Sequence, residues 1–216
     1  MDTGFKSLKD HVYEYIASLI REGRLVAEEK INENQICSEL NISRTPVREA
    51  LIQLAAEEVL ENRARKGFVV KKMDAKDIAE LYEIIGVLDG LAAKKSLPHL
   101  TEKDFRDMDF YIETMNLAIK TSNYEMYYEQ QNLFHQIYIS KCNSAALIEC
   151  IDKYKKKLLK KSYSDDSEGM IAAVLHETNQ EHLKLLELFK EGDRDAVFRF
   201  LSEVHWRVSN AEYDMI

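Results

Sequence analysis

Helix breakers are scarce in this sequence, with two prolines and seven glycines in 216 residues. Both residue types interrupt helix interiors, so their scarcity argues against a loop-rich or low-complexity chain and favours long helices. No run approaches the roughly 18 uninterrupted apolar residues of a membrane span. The opening MDTGFKSLKD lacks the hydrophobic segment of a signal peptide, so a cytoplasmic protein with no membrane association is expected. Cysteine is equally sparse. Cys37, Cys142 and Cys150 are odd in number and form no C-x-x-C pair, which argues against a disulfide framework and a thiolate zinc knuckle. They read as small buried apolar residues.

What is present is a folding composition, 45% hydrophobic and 31% charged, in a length that suits two modest domains. The net charge of −8 is unevenly spread. Residues 1–72 carry 12 Lys+Arg and 12 Asp+Glu, whereas the remainder carries 18 and 26. A balanced N-terminal part can still present a local basic face, because phosphate attraction is screened over about 8 Å at physiological salt. The acidic remainder opposes indiscriminate binding to polyanions.

Leu8, Val12, Tyr15, Ile16, Leu19 and Ile20 share one face of a predicted first helix that Gly23 caps. NENQ, residues 32–35, reads as a capping box, with Asn32 accepting from the backbone and Gln35 reaching back, ahead of a short second helix that ends near Asn41. In SRTPVREAL, residues 43–51, Pro46 suits a first helical turn because its missing N–H has no intrahelical partner there. Ser43 or Thr45 is the expected N-cap, and Val47, Ala50, Leu51 and Leu54 form the buried stripe. VLEN (59–62) and GFVV (67–70) then read as a hairpin with RARK as its basic tip.

That order is the order of a winged helix-turn-helix. Arg44 and Arg48 lie at the N-terminal end of its recognition helix, where guanidinium groups reach guanine in the major groove. Thr45 and the free N–H groups of the first turn suit a phosphate. Beyond KKMDAK, residues 71–76, only helical patterns remain, at about 75–96, 101–120, 123–141, 144–161, 168–190 and 193–212. The expected domains are therefore 1–72 and 76–216, and the fold class is mainly α. DKYKKKLLKK, residues 152–161, reads as a solvated helix face.

Three histidines fall on apolar stripes of three different predicted helices: His135 with Tyr128, Gln131, Tyr138 and Ile139, His182 among Leu175, Leu185, Leu186 and Phe189, and His205 among Phe198, Leu201 and Val208. Each alone suits a hydrogen-bonded core position. Three together suit a metal, since neutral imidazole is a common ligand of zinc and its neighbours. Gln131, one turn before His135, is a fourth, weak candidate, and such a neutral set leaves room for an anion. His176 is a further pocket candidate, and no catalytic residues stand out.

SRTPVREAL followed by Leu54 and GFVV resembles the DNA-binding domain of GntR-family transcriptional regulators, and the all-helical remainder resembles their FadR-type C-terminal domain (FCD). Phe134-His135, Glu181-His182, Gly192-Asp193 and His205 follow the FCD pattern in order and spacing, and six helices resemble the VanR-like subgroup. The resemblance implies a homodimer on double-stranded operator DNA, contacted by Arg44, Thr45 and Arg48, with Asn34 and the wing-tip Gly67 as further contacts. It also implies a small organic-acid effector and a divalent transition metal, zinc or nickel, on His135, His182 and His205. Two positions depart from the pattern: Gln131 stands where an acidic ligand is usual, and Ile85, four residues before Asp89, replaces an arginine. A metal-dependent enzyme and a metal-free regulator with an apolar ligand are the alternatives.

Overall fold

The computed structural model describes residues 7–158 and 170–209. The chain is mainly α-helical and divides into two compact units, which among the described residues are 7–78 with 155–158, and 79–154 with 170–209. In the first unit α1 spans Leu8–Arg21, opened by a capping box between Ser7 and Asp10, and Gly23 follows it at φ +67°. Asn32 accepts from the Asn34 and Gln35 N–H groups to start α2, Glu33–Leu40. The predicted box is only half formed there, because Gln35 donates to Glu39 at 3.0 Å instead of reaching back. Helix α3, Arg44–Ala56, has Ser43 as its N-cap and Pro46 in its first turn, and the Ser43 side chain makes no capping bond.

Strands β1, Leu60–Arg63, and β2, Gly67–Val70, pair antiparallel with Leu60 opposite Val70 and Arg63 opposite Gly67. Gly67 sits at φ +84°, a left-handed conformation that a glycine adopts without steric cost. The expected basic tip is smaller than RARK, since Arg63 lies in β1 and is paired to Glu28 and Glu61. The core is the stripe the periodicity marked. Val12 and Ile16 meet Val47, Ala50, Leu51 and Leu54, none with any exposed surface.

The second unit holds α4 (Ala75–Ser96, which starts just before it), a 3₁₀ turn Leu97–His99, α5 (Glu102–Lys120), α6 (Tyr124–Ile139), α7 (Ala145–Lys157, which from Lys155 falls in the first unit), α8 (Met170–Glu191) and α9 (Arg194–Arg199). The described parts of these elements lie close to the predicted spans, except the last. The helix expected over 193–212 is α-helical only to Arg199 and continues as a π-helical turn, Phe200–His205. The chain leaves the helical path at Trp206, and His205 and Trp206 are both buried. Single π turns of this kind recur at functional sites. The predicted break YSDDSEG, residues 163–169, and the predicted helix ends at 159–161, 168–169 and 210–212 lie outside the described residues.

Two further expectations need correction. Of the cysteines only Cys142 is buried; Cys37 is half-buried and Cys150 is exposed. His176 is exposed on α8 and takes no part in the histidine cluster.

Helix α4 lies directly against the C-terminal segment at two glycines. A Cβ at Gly86 would stand 3.0 Å from the Trp206 Cβ, and one at Gly90 would stand 2.9 Å from the Phe198 carbonyl oxygen. Gly90→Ala must therefore push backbone against backbone, and we expect a loss of about 1–3 kcal/mol, typical of overpacking, read as a lower denaturant midpoint. An unchanged midpoint would show that the two segments separate freely.

Candidate functional site

Both predicted cations of α3 are exposed, and α2 holds both. Arg44 Nη2 donates to Asn34 Oδ1 at 2.8 Å, and Arg48 Nε donates to Glu33 Oε2 at 3.0 Å. Thr45 is exposed beside them, in a first helical turn whose N-cap side chain takes none of the N–H groups. Helix N-termini of this kind attract anions through unsatisfied N–H groups and the helix dipole. The structure thus joins Arg44, Arg48 and Asn34 in one network and adds Glu33, a residue that sequence reasoning passed over. Gly67 lies at the end of the hairpin turn, next to the exposed Arg65 and Lys66.

In the second unit His135 of α6, His182 of α8 and His205 at the end of the π turn come together, all buried. The His135 Nε2 lies 3.3 Å from the Nε2 of His182 and 3.3 Å from that of His205. The partners of each ring's Nδ1 select one tautomer. Burial and the Asp89 carboxylate push the Tyr138 hydroxyl well above its ordinary pKa, so it keeps its proton and donates it to Asp89 Oδ1 at 2.7 Å. Tyr138 can then only accept from His135 Nδ1, 2.5 Å away. His205 Nδ1 faces the acceptor-only carboxylate of Glu181 at 3.0 Å.

Asn179 completes the pattern. Its Nδ2 donates to Ile112 O at 3.0 Å and to Asn116 Oδ1 at 2.8 Å, which turns its Oδ1 toward His182 Nδ1 at 3.3 Å. Each Nδ1 thus faces an acceptor, and the tautomer that satisfies all three directs three Nε2 lone pairs toward one buried point. Converging acceptors with no donor among them repel one another, and a cation relieves that repulsion.

The donor set fits a divalent ion of the zinc type. Zinc holds imidazole nitrogen at about 2.0–2.1 Å, which makes a tetrahedral N···N edge about 3.3–3.4 Å. The two 3.3 Å separations from His135 have that length, and the three donor atoms all lie within 4.8 Å of one another. Sequence reasoning reached the three histidines from their shared apolar phase but missed their supports: Asp89, Asn179 and Trp206. Asp89 was the most findable of these, as the one acid in the otherwise apolar stretch IIGVLDGLAA. Gln131 is buried one turn before His135, and its side chain makes no hydrogen bond among the described residues. Ile85 is fully buried and offers the site no polar group.

A winged helix-turn-helix followed by an all-helical unit with a buried three-histidine cluster defines a two-part regulatory protein. Residues 8–70 match the family described as bacterial regulatory proteins, gntR family, and residues 80–205 match the FCD domain. The chain belongs to the GntR family of DNA-binding transcriptional regulators, in its FCD-bearing branch, and that family is one of transcription factors, not enzymes.

Among similar proteins, the gluconate operon transcriptional repressor of Bacillus subtilis is 32% identical over 124 residues, covering 57% of this chain and 49% of that protein. An uncharacterized HTH-type transcriptional regulator of Mycobacterium tuberculosis is 28% identical over 107 residues, covering 50% of this chain and 44% of that protein. The chain spans about half the length of these curated relatives. The solved structure of McbR/YncC from E. coli shares the fold, with a TM-score of 0.78 at 22% identity over 93% of this chain and 94% of that one.

Proposed function

We propose that the chain is a metal-dependent, effector-controlled transcriptional repressor of the cytoplasm. In this reading residues 1–72 bind double-stranded operator DNA as a homodimer, and residues 76–216 bind a small organic acid. His135, His182 and His205 hold a divalent ion, zinc before nickel. The observation that carries the reading is the convergence of three histidine Nε2 atoms in a chain whose α3 presents two exposed arginines. When bound, the ion supplies a Lewis-acidic coordination position that a carboxylate can fill.

The residues of the chain do the rest. The three imidazoles bring no charge of their own, and Gln131 adds none, so the ion's charge favours an anionic effector. Arg44 and Arg48 read base edges, and Thr45 with the first-turn N–H groups holds a phosphate. An effector that binds one arrangement of the paired recognition helices better than the other changes operator affinity by that difference.

The test has three parts. Metal content of the purified protein is measured by mass spectrometry, an operator is selected from random duplex DNA, and organic acids are screened for release with and without a chelator. Metal-dependent release supports the reading. Release by an acid that is indifferent to the chelator would leave a metal-free regulator in its place.

Glu33 makes a further prediction. Its carboxylate holds Arg48 and adds a negative charge to the DNA-reading face. Glu33→Gln is expected to raise affinity for scrambled duplex several-fold and to narrow the gap between operator and scrambled DNA, measured by fluorescence anisotropy. An unchanged ratio would mean that Glu33 neither restrains nor orients Arg48.

A further inference from the structure

Position 131 contributes no charge to the histidine cluster, yet a divalent ion on three neutral imidazoles in a buried site needs a nearby negative charge. Two carboxylates stand directly behind the ligand rings. Glu181, behind His205, is shared with Arg207, whose Nη1 donates to its other oxygen and whose Nη2 donates to Glu177 at 2.6 Å, so that carboxylate belongs to an ion-pair network that reaches the exposed Glu177. Asp89, behind His135, has no exposed surface. It accepts from two neutral donors, the Tyr138 hydroxyl at 2.7 Å and Trp206 Nε1 at 2.9 Å, and its Oδ2 lies 3.2 Å from His135 Nδ1.

The packing is arranged around this group. Asp89 lies between Gly86 and Gly90, the two positions where α4 lies directly against the C-terminal segment, and that approach brings the Trp206 indole to the carboxylate. A carboxylate behind a ligand imidazole orients the ring and makes the opposite nitrogen a stronger donor.

We propose that Asp89 supplies, through His135, the negative charge that an acidic ligand at position 131 would otherwise bring, and so sets the ion affinity of the cluster. Asp89 is a positioning residue in this scheme and touches no ion. The inference rests on the reading that the cluster holds a divalent ion.

The test titrates Co2+ into metal-free full-length protein, read by visible d–d absorption, with Zn2+ competition giving the zinc affinity. Wild type is expected to bind one ion per chain. Asp89→Asn keeps the shape of the side chain and should weaken binding about 10–100-fold, the usual effect of losing such a support. Gln131→Ala should change it less than about threefold, within the effect of an ordinary neutral substitution. The decisive variant is Asp89→Asn with Gln131→Asp, which returns a carboxylate to the cluster from the other side and should recover most of the lost affinity.

Asp89→Asn binding as tightly as wild type would overturn the proposal. So would a folded Asp89→Asn protein that Gln131→Asp does not rescue, because that pattern marks a packing role. Wild type that takes up no Co2+ sinks the metal reading itself, which keeps the two failures apart. A second measurement avoids any folding defect: in the zinc-loaded wild type, the His135 Nδ1 proton, which faces the Tyr138 hydroxyl at 2.5 Å and Asp89 Oδ2 at 3.2 Å, should resonate further downfield than that of His182, whose acceptor is a neutral amide at 3.3 Å. Equal positions of the two protons would also count against Asp89.

Discussion

Arg48→Ala is expected to weaken operator binding by about 1–3 kcal/mol, the loss typical of one bidentate base contact. The side chain is 67% exposed at the start of α3, and its guanidinium is held by Glu33 rather than buried in packing. Removing it therefore leaves the core of the unit intact, and the loss reports on DNA directly. Salt separates the two ways Arg48 can act. If it reads a base, affinity falls while the slope of log affinity against log salt stays near its wild-type value. If it neutralises a phosphate, the slope falls by about 1 and binding weakens equally on every sequence. Fluorescence anisotropy on operator and scrambled duplex at three salt concentrations distinguishes these outcomes. Unchanged operator affinity would remove Arg48 from the interface.

The first unit was legible almost element by element, because its signals are local. Pro46 belongs in a first helical turn, Asn32 caps, Gly23 terminates, and the stripe at 47, 50, 51 and 54 allows one buried face. What stayed hidden there is the pairing of side chains across elements. Nothing in the spacing of Glu33 and Arg48, or of Asn34 and Arg44, places α2 under α3. In the second unit the three histidines could be found because each shares the phase of an apolar stripe. Their supports could not, since Asp89, Asn179 and Trp206 lie on three different elements and meet the rings only after folding. The π turn was also invisible, because a single wide turn leaves the apolar period of Leu201 and His205 nearly unchanged. Gln131 was visible as a departure, but only the structure shows a second carboxylate nearby.

His182→Leu is expected to separate the stability of the helical unit from its ion binding, with opposite signs. His182 is fully buried, and leucine is close to it in volume. The substitution removes one of three converging lone pairs and also the Nδ1 donor to Asn179 Oδ1, while Asn179 Nδ2 keeps its bonds to Ile112 and Asn116. The metal-free variant should therefore melt no lower than the wild type, because the lost repulsion and the apolar side chain filling the space offset the Asn179 oxygen left unpaired. Zinc should act the other way. A ligand at 100 times its dissociation constant adds about 2.7 kcal/mol to the folded state, so zinc raises the wild-type melting temperature by several degrees and a chelator reverses the gain. With only His135 and His205 left, the variant should lose at least about 100-fold in zinc affinity and most of that gain, since two neutral imidazoles are a poor site for a metal usually held by three or four protein ligands. Scanning calorimetry with zinc and with chelator reads both effects in one series. Equal zinc-induced stabilisation in His182→Leu and wild type would show that the ion, where it binds, does not use this cluster. A metal-free variant that melts well below wild type would instead assign His182 a role in packing and remove the argument from converging lone pairs.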